Sequence, residues 1–180
     1  VRGCEMADIA PHIVYANSTH VAHDTPYGRS KRIAGEILAA FAPAYTDLVL
    51  PHIFGECARP NYNNVTATLI DKLWCSEIPS INPEGRVQLL HAGAAAQMAI
   101  DAVLEGRTGQ LAPHGRDMRV ADLYTKLEQF HALYAANIFP DLSDDLDLAL
   151  FNSYRTGGYP AHYPRPLKIN VDPRGILFEG

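Results

Sequence analysis

Tyr27 and Lys31 stand four residues apart at the start of an apolar-periodic segment. That spacing puts both side chains on one face of a helix. A lysine ammonium close to a phenol favours the phenolate, so a tyrosine placed this way can donate or accept a proton near neutral pH. The partial positive charge of a helix amino terminus acts in the same direction. Ser18 comes earlier, at the end of a short apolar run, where its hydroxyl can bond the same substrate oxygen. Three such groups suit the protonation of an alkoxide as hydride reaches a carbonyl carbon. A lone Tyr-x-x-x-Lys is a weak signal, since it also describes an ordinary surface pair. Here it is reinforced by Pro26 just before the tyrosine, by Gly28 and Ser30 before the lysine, and by Ser18 upstream.

The elements that must position these groups are those of an α/β protein. Residues 9–16 read as a buried strand that runs into a loop at Asn17, Ser18 and Thr19. Asp24 or Thr25 caps the next helix and Pro26 occupies its first turn. The helix is expected over 27–42, with Ile33, Ala34, Ile37, Leu38 and Phe41 as its apolar face. A second strand is expected over 47–54, then a helix over 64–75 with Val65, Leu69, Ile70 and Leu73 inward. A short strand over 87–90 and helices over 94–104 and 120–136 follow, and Ser143 caps a last helix to about Tyr154. From Gly157 the chain is rich in Pro, Gly and Tyr, which predicts a linker. Within it, Gly157-Gly158 reads as a turn. Strand-like alternation over 168–180 predicts the first strand of a further domain.

Composition sets the outer bounds. Of the 180 residues 47% are hydrophobic and 19% charged, the balance of a soluble folded domain with a real core. The net charge of −5, without any basic run, argues against a nucleic-acid partner. No apolar stretch has the length of a membrane-spanning helix, and the first residues have no signal-peptide core. Cys4, Cys57 and Cys75 are odd in number and irregular in spacing, which predicts reduced thiols in a cytoplasmic protein. His20, His23, His52 and His91 fall on different elements, so no metal is expected. The acidic run Asp141, Asp144, Asp145 and Asp147 reads as the solvated, capped start of a helix. The chain begins without methionine and enters an apolar segment within a few residues, which reads as a truncation. No G-x-x-G-x-x-G follows a first strand, so a dinucleotide's pyrophosphate has no glycine-rich loop here.

Tyr27-Gly28-Arg29-Ser30-Lys31 resembles the Y-G-x-S-K signature of the extended short-chain dehydrogenases/reductases, the NAD-dependent epimerase/dehydratase family, with Ser18 in the place of the third triad member. Pro51-His52-Ile53-Phe54-Gly55 resembles the family segment that lies along the nicotinamide. Arg59-Pro60-Asn61-Tyr62-Asn63-Asn64-Val65 and Ala67-Thr68 resemble a segment of one subfamily, the bifunctional capsular-polysaccharide enzymes that reduce a UDP-4-keto-6-deoxy-N-acetylhexosamine. Leu150 to Tyr154 resembles that subfamily's last helix, and Asn170 to Gly175 the entry into its second domain, a cupin.

The resemblance implies a Rossmann-like fold, present as its carboxyl-terminal portion with a small substrate-binding subdomain over 1–156, a linker over 157–167 and the start of a truncated cupin-like domain over 168–180. It implies NADP (or NAD) as cofactor and a UDP- or dTDP-linked 4-keto-6-deoxy-amino sugar as substrate, on the way to capsule or surface polysaccharide, in a homodimer. Ser18, Tyr27 and Lys31 would be catalytic. Tyr27, Lys31, Pro51 and His52 would face the cofactor, and Thr19, Arg59, Asn61, Tyr62 and Asn63 the substrate.

The chain departs from the pattern at Val49-Leu50-Pro51-His52, where relatives carry Arg-x-Pro-Asn, and at His91, where they usually have aspartate. An epimerase or 4,6-dehydratase would keep the same triad. Dehydratases carry an Asp-Glu pair just after the catalytic serine or threonine, and Thr19-His20 in that place disfavours them, which leaves the epimerase open. A third expectation, resting on the missing glycine-rich loop, is a catalytically incomplete fragment acting as an interaction or assembly domain.

Overall fold

The computed structural model describes residues 2–164 and 168–179. In chain order the elements are α1 (Arg2–Met6), β1 (His12–Ser18), a 3₁₀ turn (Thr19–Ala22), α2 (Pro26–Phe41), β2 (Ala44–Leu50), β3 (His52–Phe54), α3 (Val65–Trp74) and β4 (Arg86–His91). They continue with α4 (Ala92–Leu104), β5 (Gly109–Leu111), β6 (Arg116–Arg119), α5 (Val120–Ala135), α6 (Asp145–Gly157), β7 (Lys168–Asp172) and β8 (Gly175–Glu179). The chain divides into two compact units, residues 1–53 with 88–117 and residues 54–87 with 118–180.

The first unit is built on a parallel sheet of order β1-β2-β5. β1 and β2 run in register from His12 opposite Ala44 to Ser18 opposite Leu50. α2 and α4 pack against β1 and β2. Leu48 and Val49 are buried, and so is Thr46, whose hydroxyl donates to the Arg107 carbonyl and bonds His12 Nε2 at 2.7 Å. β3, β4 and β6 form a second three-stranded sheet in that order.

The α2 helix reverses one expectation. Ile33, Ile37 and Phe41 are more than half exposed, whereas Gly28 and Gly35 are buried. These glycines are seven residues apart and share one helix face. The helix therefore turns its small residues inward and leaves its large apolar ones outside. The strand expected over 47–54 is also two strands, broken at Pro51, which has no N–H to give a ladder. β1 starts later than expected, at His12, and runs through Ser18.

In the second unit α3, α5 and α6 pack together around Leu69, Ile70, Leu73, Leu127, Phe130 and Phe151. α6 is capped by Asp144, whose carboxylate accepts the N–H groups of Leu146 and Asp147. Ser143, the expected cap, instead donates its own N–H to Asp141. Gly157 ends α6 and Gly158 opens the expected turn, and both glycines also let α6 and α3 approach closely. A Cβ at Gly158 would sit 2.6 Å from the Trp74 indole, and one at Gly157 would run into Ile70. Residues beyond them stay on the helices: the His162 ring stacks on Trp74 at 4.6 Å, and the Tyr163 hydroxyl bonds that of Tyr134 at 3.1 Å. The rest of the expected linker, 165–167, lies outside the described residues. β7 and β8 form an antiparallel hairpin closed at Asp172 and Gly175.

Candidate functional site

Ligands of open parallel sheets gather at the carboxyl ends of the strands, and Ser18 is the last residue of β1. It lies opposite Leu50 of β2, and the buried Pro51 follows directly. Ser18 Oγ caps the 3₁₀ turn by accepting the His20 N–H at 3.2 Å. An acceptor site of the hydroxyl is thus in use, and its proton remains to be donated. Thr19 follows, exposed, as the first residue of the turn.

The α2 helix begins where the sequence predicts. Thr25 Oγ1 accepts the Gly28 N–H at 3.0 Å, and Pro26 holds the first position. Gly28 is required by sterics, because a Cβ there would collide with the carbonyl oxygens of His20 and His23. The helix start and the turn after Ser18 are consequently pressed together. Tyr27 is 53% exposed, open enough to meet a ligand. Lys31 lies one turn on, and its ammonium donates to the Ala16 carbonyl at 2.9 Å. The same ammonium is 5.9 Å from the centre of the Tyr27 ring and 4.9 Å from that of Tyr15. Ser30 closes the turn locally by donating its hydroxyl to the Tyr27 carbonyl at 2.8 Å.

Ser18, Thr19, Tyr27, Lys31 and Pro51 thus meet around the carboxyl ends of β1 and β2, and His52, half-buried, opens β3. Arg59, Asn61, Tyr62 and Asn63 belong to the other unit, in the loop before α3. There the Arg59 guanidinium lies 5.4 Å over the exposed Tyr62 ring. Asn61 and Asn63 have φ of +57° and +52°, a left-handed region that asparagine tolerates. Asn61 fastens the loop: its N–H donates to Thr68 Oγ1 at 2.9 Å and its Nδ2 to Asp71 at 3.3 Å. Arg59 and Asp71 also line a cavity of about 380 Å³ with Ser153 and Thr156 of α6.

Sequence reasoning missed several participants. The His20 ring stands edge-on to Tyr27 at 5.9 Å and to His23 at 5.1 Å. Asn17 and Asp47 join across the strands at 2.8 Å. The available signal was a polar residue inside each of two apolar strands. Tyr45 lies beside them. Burial first, then the negative charge of Asp47, pushes its phenol up to about 12. Among the described residues no group of three or more His, Cys, Asp or Glu is placed to hold a metal ion, and no helix is long and apolar enough to cross a membrane.

No protein-family model matches the chain. It is 25% identical over 179 residues to UDP-2-acetamido-2,6-beta-L-arabino-hexul-4-ose reductase of Pseudomonas aeruginosa, covering 93% of this chain and 47% of that protein. Among solved structures it is similar to the capsular polysaccharide assembling protein CapF from Staphylococcus aureus, with a TM-score of 0.73 at 23% identity over 94% of this chain and 48% of CapF. It is also similar to the UDP-glucose 4-epimerase of Thermus thermophilus in complex with NAD, with a TM-score of 0.67 at 11% identity over 88% of this chain and 67% of the epimerase. The chain therefore spans about half the length of the reductase it matches, and at these identities the solved structures speak to the fold. With its parallel α/β fold and a sequence match over nearly its whole length, the chain is similar to part of a nucleotide-sugar reductase and shares the Rossmann-like fold of CapF and the UDP-sugar epimerases.

Proposed function

We propose that this chain carries the proton-transfer half of a reductase acting on a nucleotide-linked 4-keto-6-deoxy-amino sugar, UDP- or dTDP-bound, in capsule or surface polysaccharide precursor synthesis. One observation carries the reading: the Lys31 ammonium, tied to the Ala16 carbonyl, stands beside Tyr27 while Ser18 ends the same strand. The similarity to a hexulose reductase favours reduction over epimerisation.

The residues present fit a nicotinamide nucleotide, NADP (or NAD). Lys31 spends one N–H on Ala16, and the others remain for ribose hydroxyls. Tyr27, Pro51 and His52 follow the same strand ends and would flank the nicotinamide. When bound in reduced form, the cofactor supplies a hydride. Ser18 donates a hydrogen bond to the keto oxygen and orients it, keeping its own proton. Tyr27 delivers a proton to that oxygen as charge develops there. Lys31 keeps a positive charge near the phenol as its proton leaves. Arg59 pairs with substrate phosphate, Thr19, Tyr62 and Asn63 contact the nucleotide sugar, and Asn61 holds the loop that presents them. The cofactor's pyrophosphate would rest on a glycine-rich loop outside these residues, and 168–180 would begin a cupin-like domain. The exposed Ile33, Ile37 and Phe41 on α2 support a homodimer, a reading that a monomer in light scattering would remove. The three cysteines are free thiols, which suits a cytoplasmic enzyme.

The test is Tyr27→Phe in the complete protein. Turnover of the keto sugar drops by about 10²-fold or more, while NADPH still binds, as followed by the nucleotide's fluorescence. Unchanged turnover overturns the proposal.

A further inference from the structure

Asn17 in β1 is 5% exposed. A buried amide is costly unless its donors and its acceptor are matched. Both ends of this one are used. Nδ2 donates to Asp47 Oδ1 at 2.8 Å, and Oδ1 accepts the N–H of Ser18 at 2.9 Å. The two ends of a carboxamide are alike in shape, so shape alone does not choose between them. Asp47 makes the choice. An ionised carboxylate only accepts, so it draws the NH₂ end and turns the carbonyl end to Ser18. Gly35 of α2 packs over the pair: a Cβ there would press on the Tyr45 hydroxyl at 3.2 Å and touch Asn17 Nδ2 at an ordinary 3.5 Å. Ser18 is therefore gripped at two points, its N–H by Asn17 and its Oγ by the His20 N–H. The strand end cannot rotate the hydroxyl away without breaking one of them.

We propose that Asp47 and Asn17 are positioning residues, which through a directed carboxamide fix the Ser18 hydroxyl for its work on the keto oxygen. This rests on the role given to Ser18 above.

A reciprocal exchange in the complete protein tests it. Asn17→Asp sets two carboxylates against each other, and turnover falls by about tenfold or more. Asp47→Asn alone removes the bias on the amide and gives a smaller loss. In the double variant Asn17→Asp/Asp47→Asn the new carboxylate at 17 accepts from both Ser18 N–H and the new amide at 47. Turnover then returns to within about threefold of the parent. KM for the nicotinamide nucleotide stays level throughout, because Lys31 is untouched. Amide hydrogen exchange at Ser18 follows the same order, fast in Asn17→Asp and slow again in the double variant.

A double variant no better than the worse single one, or an Asn17→Asp single variant with parental turnover, overturns the inference. Should Asn17→Asp fail to fold, as circular dichroism reports, the comparison of Asp47→Asn with the double variant decides. Tyr27→Phe is run alongside. If that variant retains turnover, the functional reading falls, and with it the positioning role, while Ser18 exchange still shows whether Asp47 directs Asn17. If Tyr27→Phe is inactive but the exchange of partners shows no recovery, the inference alone falls.

Discussion

Replacing Gly28 by alanine probes how tightly the candidate site is assembled. A Cβ at this position would penetrate the carbonyl oxygens of His20 and His23 and lie 3.3 Å from the His23 carbonyl carbon. These are backbone atoms of the segment that begins at Ser18, so no side-chain rotation relieves the overlap. Restoring ordinary contact, about 3.5 Å, requires the turn and the first turn of α2 to part by on the order of 1 Å. Overpacking of this kind costs about 1–3 kcal/mol, against which the better helix propensity of alanine returns at most about 1 kcal/mol. A net loss of about 1–2 kcal/mol, at about 2–4 °C for each in a chain of this size, lowers Tm by about 2–8 °C. The larger effect is on geometry. Displacing Ser18 from Tyr27 by about 1 Å is worth about 10²-fold in turnover, whereas NADPH affinity changes little because Lys31 keeps its anchor on Ala16. Melting by far-ultraviolet circular dichroism and steady-state turnover of the complete protein give both numbers. Parental Tm and turnover would show that the turn and the helix do not press on each other. A lowered Tm with parental turnover would show that the Ser18–Tyr27 geometry does not set the rate.

Two further outcomes are expected. Gly158→Ala brings a methyl to 2.6 Å from the Trp74 indole, so it destabilises by about 1–3 kcal/mol and shifts the tryptophan emission, and an unchanged spectrum would argue against that contact. Tyr45 is held protonated in the fold, its pKa raised from 10.0 to about 12 by burial and by Asp47. Its contribution is complete below pH 10 and is lost as pH climbs through about 12. Stability of the parent therefore declines over that window, and Tyr45→Phe flattens the decline; equal slopes in parent and variant would refute the assignment.

The helix carrying Tyr27 and Lys31 was legible because its signals are local: a capping threonine, a proline at the first turn and a four-residue spacing. The Ser18 position was legible as the end of an apolar run. What an apolar stripe packs against is a different matter. Periodicity locates Ile33, Ile37 and Phe41 on one face but does not say that glycines occupy the face turned to the sheet. The exchange of Ser143 for Asp144 at the α6 cap follows from chemistry that both residues share, since either oxygen can accept an amide N–H. Asn17 and Asp47 were out of reach for another reason. They are 30 residues apart in sequence, and only the register of β1 on β2 brings them together. Asn61 was legible as a polar loop residue, but its left-handed backbone and its bond to Asp71 hold the loop in a way that spacing does not encode.

Trp74 is the only tryptophan in the chain, and it sits in the second unit, with its indole N–H on the Tyr154 carbonyl and its ring against Tyr154 and His162. The indole therefore reports on the helical unit and not on the unit that carries Tyr27 and Lys31. Emission-detected unfolding follows the helices alone, whereas circular dichroism sums both units. Overlaid curves would describe one cooperative transition, and separated curves would give each unit its own stability. A ligand that grips only the strand ends would move the second kind of curve while the glow of the indole stayed where it was.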